Sequence, residues 1–428
     1  MREGCKPSVT APVFLTCEPG RHVGVRVRQS KSTMLKFSSV TKSHLIDGGG
    51  RMRPKPMGVA LMIALLVALQ ACAGEDGSTL PEGSNGNVKG GDDRFGEYEV
   101  VEGWWKAAPN HDDEWGWGSM SDVAVDNPDR IFAVHWGDRN AEGERRDPVS
   151  NFIVVADRDG NIVEVWSQWD SILRLPHHVF ISPYDPERHL WVVERGHMQV
   201  LKFTNDGSEL VMRIGDRENP ATSEEARENP NPGPYYYGQP ATMTFLPDGG
   251  FLLGDGSWNS RIVKYNADGE YVMEWGELGS GPGQFDLIHG VAVGRDGRVY
   301  VADRNNSRVQ VFTQDGEFIE EWPDILSPAS LYIDEGENVW VLDRLLNRAL
   351  KYNREGHLQS HWGAYGGTGG TVPGAAQWEG GLARAHGFDV DQEGNVYIAN
   401  FDGASISKFT PKPGADPSKL ITRRRLAN

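Results

Sequence analysis

Val299-Tyr300-Val301-Ala302-Asp303-Arg304, then Asn305-Asn306-Ser307, then Arg308-Val309-Gln310-Val311-Phe312: two runs of β-branched and aromatic residues face each other across a three-residue polar break. Residues of this kind suit a pleated, buried surface, and so short a break leaves room only for an antiparallel turn. Upstream, Arg295-Asp296-Gly297 is a turn signal, and before it Ile288-His289-Gly290-Val291-Ala292-Val293 leads into an alternating apolar run. Downstream, Asp315-Gly316 is a second turn, followed by a run ending at Trp322. The stretch therefore encodes four consecutive antiparallel strands.

The same unit returns along the chain. Units open near Ser121, His177, Ala241, His289, Ala329 and His386. Val339-Trp340-Val341-Leu342-Asp343-Arg344 repeats the second strand and Arg261-Ile262-Val263-Lys264-Tyr265 the third, while Trp275 and Trp362 end fourth strands. From Gly249 to Gly297 to Gly336 the turns recur every roughly 40–50 residues, the size of a propeller blade. Six such units predict an all-β chain folded as a six-bladed β-propeller with four strands per blade, over residues 95–415. Tyr98-Glu99-Val100-Val101 is expected to complete the last blade, because a closed ring exposes no sheet edge. Trp166, Trp275, Trp322 and Trp362 are expected to pack between blades.

Composition agrees. With 428 residues, 38% hydrophobic and 10% aromatic, the chain can bury a large core, and its 52 glycines and 25 prolines supply many turns. The net charge of −17 excludes a nucleic-acid partner, which would need a basic stripe. Basic residues are concentrated before residue 72, so the remainder is more acidic still, a surface that favours cationic ligands and metal ions.

The N-terminal part carries an address rather than a fold. Arg51, Arg53 and Lys55 precede an apolar run from Met57 to Leu69, which ends in Leu69-Gln70-Ala71-Cys72. That run is too short to span a bilayer, and it has the parts of an export signal. Its ending resembles a bacterial lipobox, which implies lipidation at Cys72 and a cell-envelope lipoprotein held to the membrane only through that lipid, with simple cleavage as the alternative. Met52 or Met57 is the expected start, with residues 1–51 a spurious extension, 52–72 the signal, 73–94 a flexible tether and 416–428 a C-terminal tail. Cys5, Cys17 and Cys72 are the only cysteines. The exported part therefore has neither a disulfide nor a thiolate metal site, and any metal must be held by His, Asp, Glu or backbone oxygen.

In a propeller the first strand of each blade lines the axis, so the unit openings form a ring: Ser121, His177, Ala241, His289, Ala329, His386. Histidine occupies alternate blades and small residues stand between. Three imidazoles converging on an axis, with space left open, suit a catalytic Zn²⁺. Cu²⁺ or Ni²⁺ would also fit such a set in vitro.

Ala302-Asp303-Arg304 with Asn306-Ser307-Arg308-Val309-Gln310-Val311-Phe312 resembles the NHL repeat. Over about residues 118–410 the chain further resembles peptidyl-α-hydroxyglycine α-amidating lyase, also called peptidylamidoglycolate lyase. The likeness is strongest in Asp255-Gly256-Ser257-Trp258-Asn259-Ser260-Arg261-Ile262-Val263, in Trp275-Gly276 with Gly281-Pro282-Gly283-Gln284-Phe285, and in the three histidine motifs. The resemblance implies a zinc ion held by His177, His289 and His386 that helps to cleave a C-terminal α-hydroxyglycine into a peptide amide and glyoxylate. It also implies a catalytic arginine at Arg304. Three departures stand out. The family's catalytic tyrosine falls at Ser257 and an arginine of its first blade at Trp136, so both catalytic positions are substituted. Its calcium-binding aspartate falls at Gly387, which leaves structural calcium to backbone oxygens alone. Its paired cysteines fall at Gly238 and Trp258.

Serine is too weak an acid to act unaided as the missing base, which leaves His135, Arg139, His178 and the cluster Tyr235-Tyr236-Tyr237 as candidates. Arg195 and Arg344 share the blade position of Arg304. Together the three could bind a substrate carboxylate, but salt bridges within Glu194-Arg195 and Asp343-Arg344 that tie neighbouring blades are favoured for those two. The leading expectation is an exported zinc-dependent carbon–nitrogen lyase, monomeric, acting on a small-molecule or peptide substrate. A metal-dependent hydrolase and a non-catalytic binding propeller are the alternatives.

Overall fold

The computed structural model describes residues 94–108, 115–140, 142–215, 233–363 and 381–424. The expectations for the extension, the signal with Cys72 and the tether up to residue 93 lie outside the described residues, as does the Gly-rich connection between Gly363 and Gly381.

Six four-stranded antiparallel sheets follow one another in chain order and form the blades. Blade four shows the logic. Its strands are Ile288–Val293, Val299–Asp303, Arg308–Phe312 and Phe318–Trp322. The first three are buried throughout, since each is covered on both faces by neighbouring blades, and so they are continuous apolar runs. The outermost strand is mostly exposed and closes on buried Trp322. The apolar side chains form six separate clusters. One of them joins Leu252 and Ile262 of blade three to Phe285, Ile288 and Val299 of blade four.

The fourth-strand tryptophans fix blade to blade. Trp166 lies on Gly207, Trp275 on Gly316 and Trp322 on Gly356, each a turn glycine of the next blade where an added Cβ would fall within 2.8 Å of the indole. These glycines also have φ between 70° and 80°, so the turn needs glycine twice over, for conformation and for room. Arg308 pins its own blade. It donates to Asp303 and Glu321 and to the carbonyls of Ser280, Gly281 and Gln284, and Arg261 repeats the pattern with Asp255, Glu274, Gly233 and Tyr236.

Blade six is assembled from both ends of the domain. Tyr98–Val100 pairs antiparallel with Ser405–Pro411, with Tyr98 opposite Pro411 and Val100 opposite Phe409. Residues 416–424 do not leave as a tail. It turns under the far end of the axis, where Ile421 is buried and donates its N–H to the Tyr98 hydroxyl. Arg423 donates to the carbonyls of Val390 and Val125, and Arg424 to that of Val293. These carbonyls belong to the first strands of blades six, one and four, so the segment caps a chamber of about 1000 Å³ on the axis.

Candidate metal centre

Each ring histidine sits at a break in strand register. The pairing skips a residue between Pro176 and His178, between Ile288 and Gly290, and between Ala385 and Gly387, so His177, His289 and His386 are the extra residues of three equivalent bulges. A bulge releases its residue from the ladder and re-aims the side chain, here onto the axis. The three imidazoles meet there, with ring centroids 4.9, 4.8 and 4.7 Å apart. All three are buried, and their ligating nitrogens lie within 4.8 Å of one another.

The small residues of the ring have a second use. His177 Nδ1 is 2.7 Å from the carbonyl of Ala241, His289 Nδ1 2.7 Å from that of Ala329, and His386 Nδ1 2.7 Å from that of Ser121. A carbonyl only accepts, so each Nδ1 carries the proton and each Nε2 keeps a lone pair for a ligand. His289 Nε2 is buried with no hydrogen-bond partner. Burial holds all three imidazoles well below their usual pKa, so they are neutral, as metal ligands must be. Orientation, tautomer and charge all fit a divalent cation. Nothing in the sequence names the carbonyls, but the strict alternation of histidine with a small residue was their signal.

Four further features surround the triad. His178 stacks on His177 at 4.8 Å, and burial, then Arg195 and Arg304, push it down to about 3. One layer out, the residue after each second strand forms a second ring. The backbone N–H groups of Trp136, Arg195, Arg304, Arg344 and Phe401 donate to Ser119, Leu175, Leu287, Ser327 and Arg384, the residues two places before the axial ring. Gly256 of blade three occupies the sixth place. Trp136 meets Phe401 edge-on at 4.7 Å and Phe401 stacks on His386 at 5.2 Å, making an aromatic wall on blades one and six. The arginines stand on blades two, four and five.

The salt bridges expected for these arginines are corrected by the structure. Successive residues at a strand end point apart, so Asp303 serves Arg308 rather than Arg304. Glu194 accepts the N–H groups of Leu175, Gly196 and His197, and Asp343 those of Ser327, Leu345 and Leu346. Among the described residues no carboxylate pairs with Arg195, Arg304 or Arg344. Arg195 reaches Gln239 at 2.5 Å and the Ser257 hydroxyl at 3.4 Å. Burial, with Arg344, Arg195 and Arg384 nearby, pulls Arg304 down to about 9.

Gly387 has a finer explanation than the loss of an acid. A Cβ there would lie 1.7 Å from Asp122 Oδ1, so the carboxylate beside the third histidine is present but comes from blade one. Asp122 Oδ2 accepts the Val179 N–H at 3.0 Å, and burial raises its carboxyl well above the usual range. The tyrosine cluster, in contrast, is not brought to the axis. The Tyr237 hydroxyl bonds that of Tyr265 at 2.8 Å, and Tyr235 accepts the Tyr271 N–H at the edge of blade three.

Comparison with known proteins agrees with this architecture. The NHL repeat profile matches residues 285–312. NHL repeat-containing protein 3 of Mus musculus is 30% identical over 174 residues, which is 37% of this chain and 48% of that protein. Peptidyl-alpha-hydroxyglycine alpha-amidating lyase 1 of Drosophila melanogaster is 25% identical over 175 residues, 37% of this chain and 29% of that one. The chain thus spans less than half the length of these curated relatives. Among solved structures, a putative gluconolactonase is 12% identical with a TM-score of 0.50, covering 78% of this chain and 97% of its own, and shows the fold alone. The chain is a six-bladed β-propeller with a match to the NHL repeat over residues 285–312 and partial-length likeness to proteins named peptidyl-α-hydroxyglycine α-amidating lyases.

Proposed function

We propose that this propeller is a zinc-dependent lyase that cleaves α-hydroxyglycine amides to an amide and glyoxylate. The observation that carries the reading is the set of three Nε2 lone pairs aimed at one axial point by three carbonyl-anchored imidazoles. A divalent ion held by His177, His289 and His386 would supply Lewis acidity to a substrate oxygen.

The other residues define what the substrate does. Its carboxylate, the group retained in glyoxylate, is bound by the Arg304 guanidinium, which is charged at neutral pH and forms no salt bridge among the described residues. The hydroxyl proton is removed as the C–O bond becomes a carbonyl and the C–N bond breaks, and the departing amide nitrogen takes up a proton. No redox partner is needed. Trp136 and Phe401 exclude water from one side and suit an apolar acyl group. Ser257, 3.4 Å from Arg195, stands where the resemblance implies a tyrosine base and lacks the acidity for that role. A base supplied by His178 is opposed by the same burial that makes it so weak. The reading therefore predicts turnover well below that of a site with a tyrosine base.

The test is metal content and glyoxylate release from the purified domain, residues 90–428, beside the His177→Ala/His289→Ala variant. One zinc per chain, with glyoxylate formed from an α-hydroxyglycine compound and both lost in the variant, is expected. Absence of bound metal after incubation with zinc would overturn the reading. Export and lipidation at Cys72 belong to the same proposal, and mass spectrometry of the mature N-terminus checks them.

A further inference from the structure

The ring above the histidines holds more positive charge than the proposed reaction needs. Arg195, Arg304 and Arg344 hang from the same blade position, each fixed by a backbone bond of 3.0–3.2 Å to the start of its own blade. Arg344 and Arg195 lie close enough to lower Arg304, Arg195 lowers His177, and Arg344 and Arg304 lower His386. Arg195 Nε and Arg344 Nε are buried without a hydrogen-bond partner. Arg384, beside them, is already paired with Asp402 at 3.0 Å. In a chain of net charge −17, acidic side chains are abundant, and Glu194, Asp286 and Asp402 act on these arginines from a distance, yet among the described residues none forms a salt bridge with the three guanidiniums. Clustered, partly desolvated like charges are costly unless a ligand of opposite charge completes them. One substrate carboxylate engages one guanidinium in a two-point contact and leaves the others unmatched.

We propose that the mouth selects a dianionic substrate: an α-hydroxyglycine amide whose acyl part carries its own carboxylate, with Arg195 and Arg344 as the guanidiniums open to that second acid. This inference rests on the lyase reading for the identity of the scissile group, but not for the anion site itself. An acyl chain of a few carbons, as in a succinyl or an acidic aminoacyl group, carries the second acid away from the carboxylate held at Arg304.

The experiment is calorimetric titration of chelator-treated and zinc-loaded protein with succinate and with butyrate, chains of equal length bearing two carboxylates and one. Succinate is expected to bind at least about tenfold more tightly in both metal states, a typical return for one further charge-assisted contact. Arg195→Gln and Arg344→Gln should each shrink that preference, Arg344→Lys should restore part of it, and Arg354→Gln, in the hairpin turn at the opposite end of blade five, should leave it intact. Turnover of N-succinyl- and N-butyryl-α-hydroxyglycine separates the two proposals. A succinate preference without glyoxylate from either compound sinks the lyase reading and keeps the dianion site. Equal turnover of both compounds with equal affinity for both acids, or a preference that neither glutamine variant alters, overturns the dianion site and leaves the lyase reading standing.

Discussion

Replacing Gly387 by alanine tests whether one carboxylate fills one space beside the third histidine. The new Cβ would sit 1.7 Å from Asp122 Oδ1 and 2.5 Å from its Cγ, far inside contact distance. Asp122 is buried and must swing away, breaking its 3.0 Å bond to the Val179 N–H. Leaving that donor unpaired costs about 1–3 kcal/mol, and overpacking adds about 1–3 kcal/mol. A total near 3 kcal/mol corresponds to about 4 °C in Tm for a domain of roughly 320 residues. Asp122→Ala removes the two closest atoms and leaves Asp122 Cβ at 3.1 Å, a distance that small shifts relieve. In that background Gly387→Ala should cost less than about 1 kcal/mol, giving a coupling energy of about 2 kcal/mol in a double-mutant cycle. Urea unfolding followed by circular dichroism measures all four proteins. Additive costs, within about 0.5 kcal/mol, would falsify the shared-space argument.

Other outcomes follow from the same geometry. The Asp122 carboxyl has a folded pKa above its unfolded value of about 3.9, so the stability linked to its proton is fully present below that pH and is lost as pH rises through the folded pKa. Asp122→Asn should remove this slope from a plot of Tm against pH in the presence of chelator, and an unchanged slope would assign it elsewhere. Ser257→Tyr places a phenol beside Arg195, and glyoxylate release should rise by about 10²-fold if the base is what the site lacks. Stopping the chain after Lys419 removes the cap of the far chamber. The loss of buried Ile421 alone should cost about 1.5–3 kcal/mol, and binding of an apolar dye should rise as the chamber opens. An unaltered melt would mean that the capping contacts contribute nothing.

The blades and the triad were legible because both are periodic. Strands such as Val299–Asp303 are apolar throughout and end at glycine turns, and the histidines recur at a fixed place in the unit. Contacts that break the period were hidden. Asp303 and Arg304 are neighbours in sequence, which suggests a pair, yet strand geometry turns Asp303 to Arg308 across the hairpin and leaves Arg304 to the mouth. Asp122 looks like any polar strand residue, and only the structure shows it filling the space that Gly387 leaves. The far-end cap was missed because Arg423 and Arg424 bind backbone carbonyls, which no side-chain pattern announces. Carbonyls also orient the triad, through residues whose sequence signal is merely their smallness.

The pairing of Tyr98–Val100 with Ser405–Pro411 gives the molecule a seam. Most other neighbouring strands are joined by short turns, but here the two partners are more than three hundred residues apart, so closing the seam carries the largest loop-closure entropy among the described pairings. Until Tyr98–Val100 docks, Ser405–Pro411 is an open edge able to accept the same strand from a second molecule. At high concentration during refolding, the ring can thus close in two ways, on itself or reciprocally between two chains, and dilution selects the first.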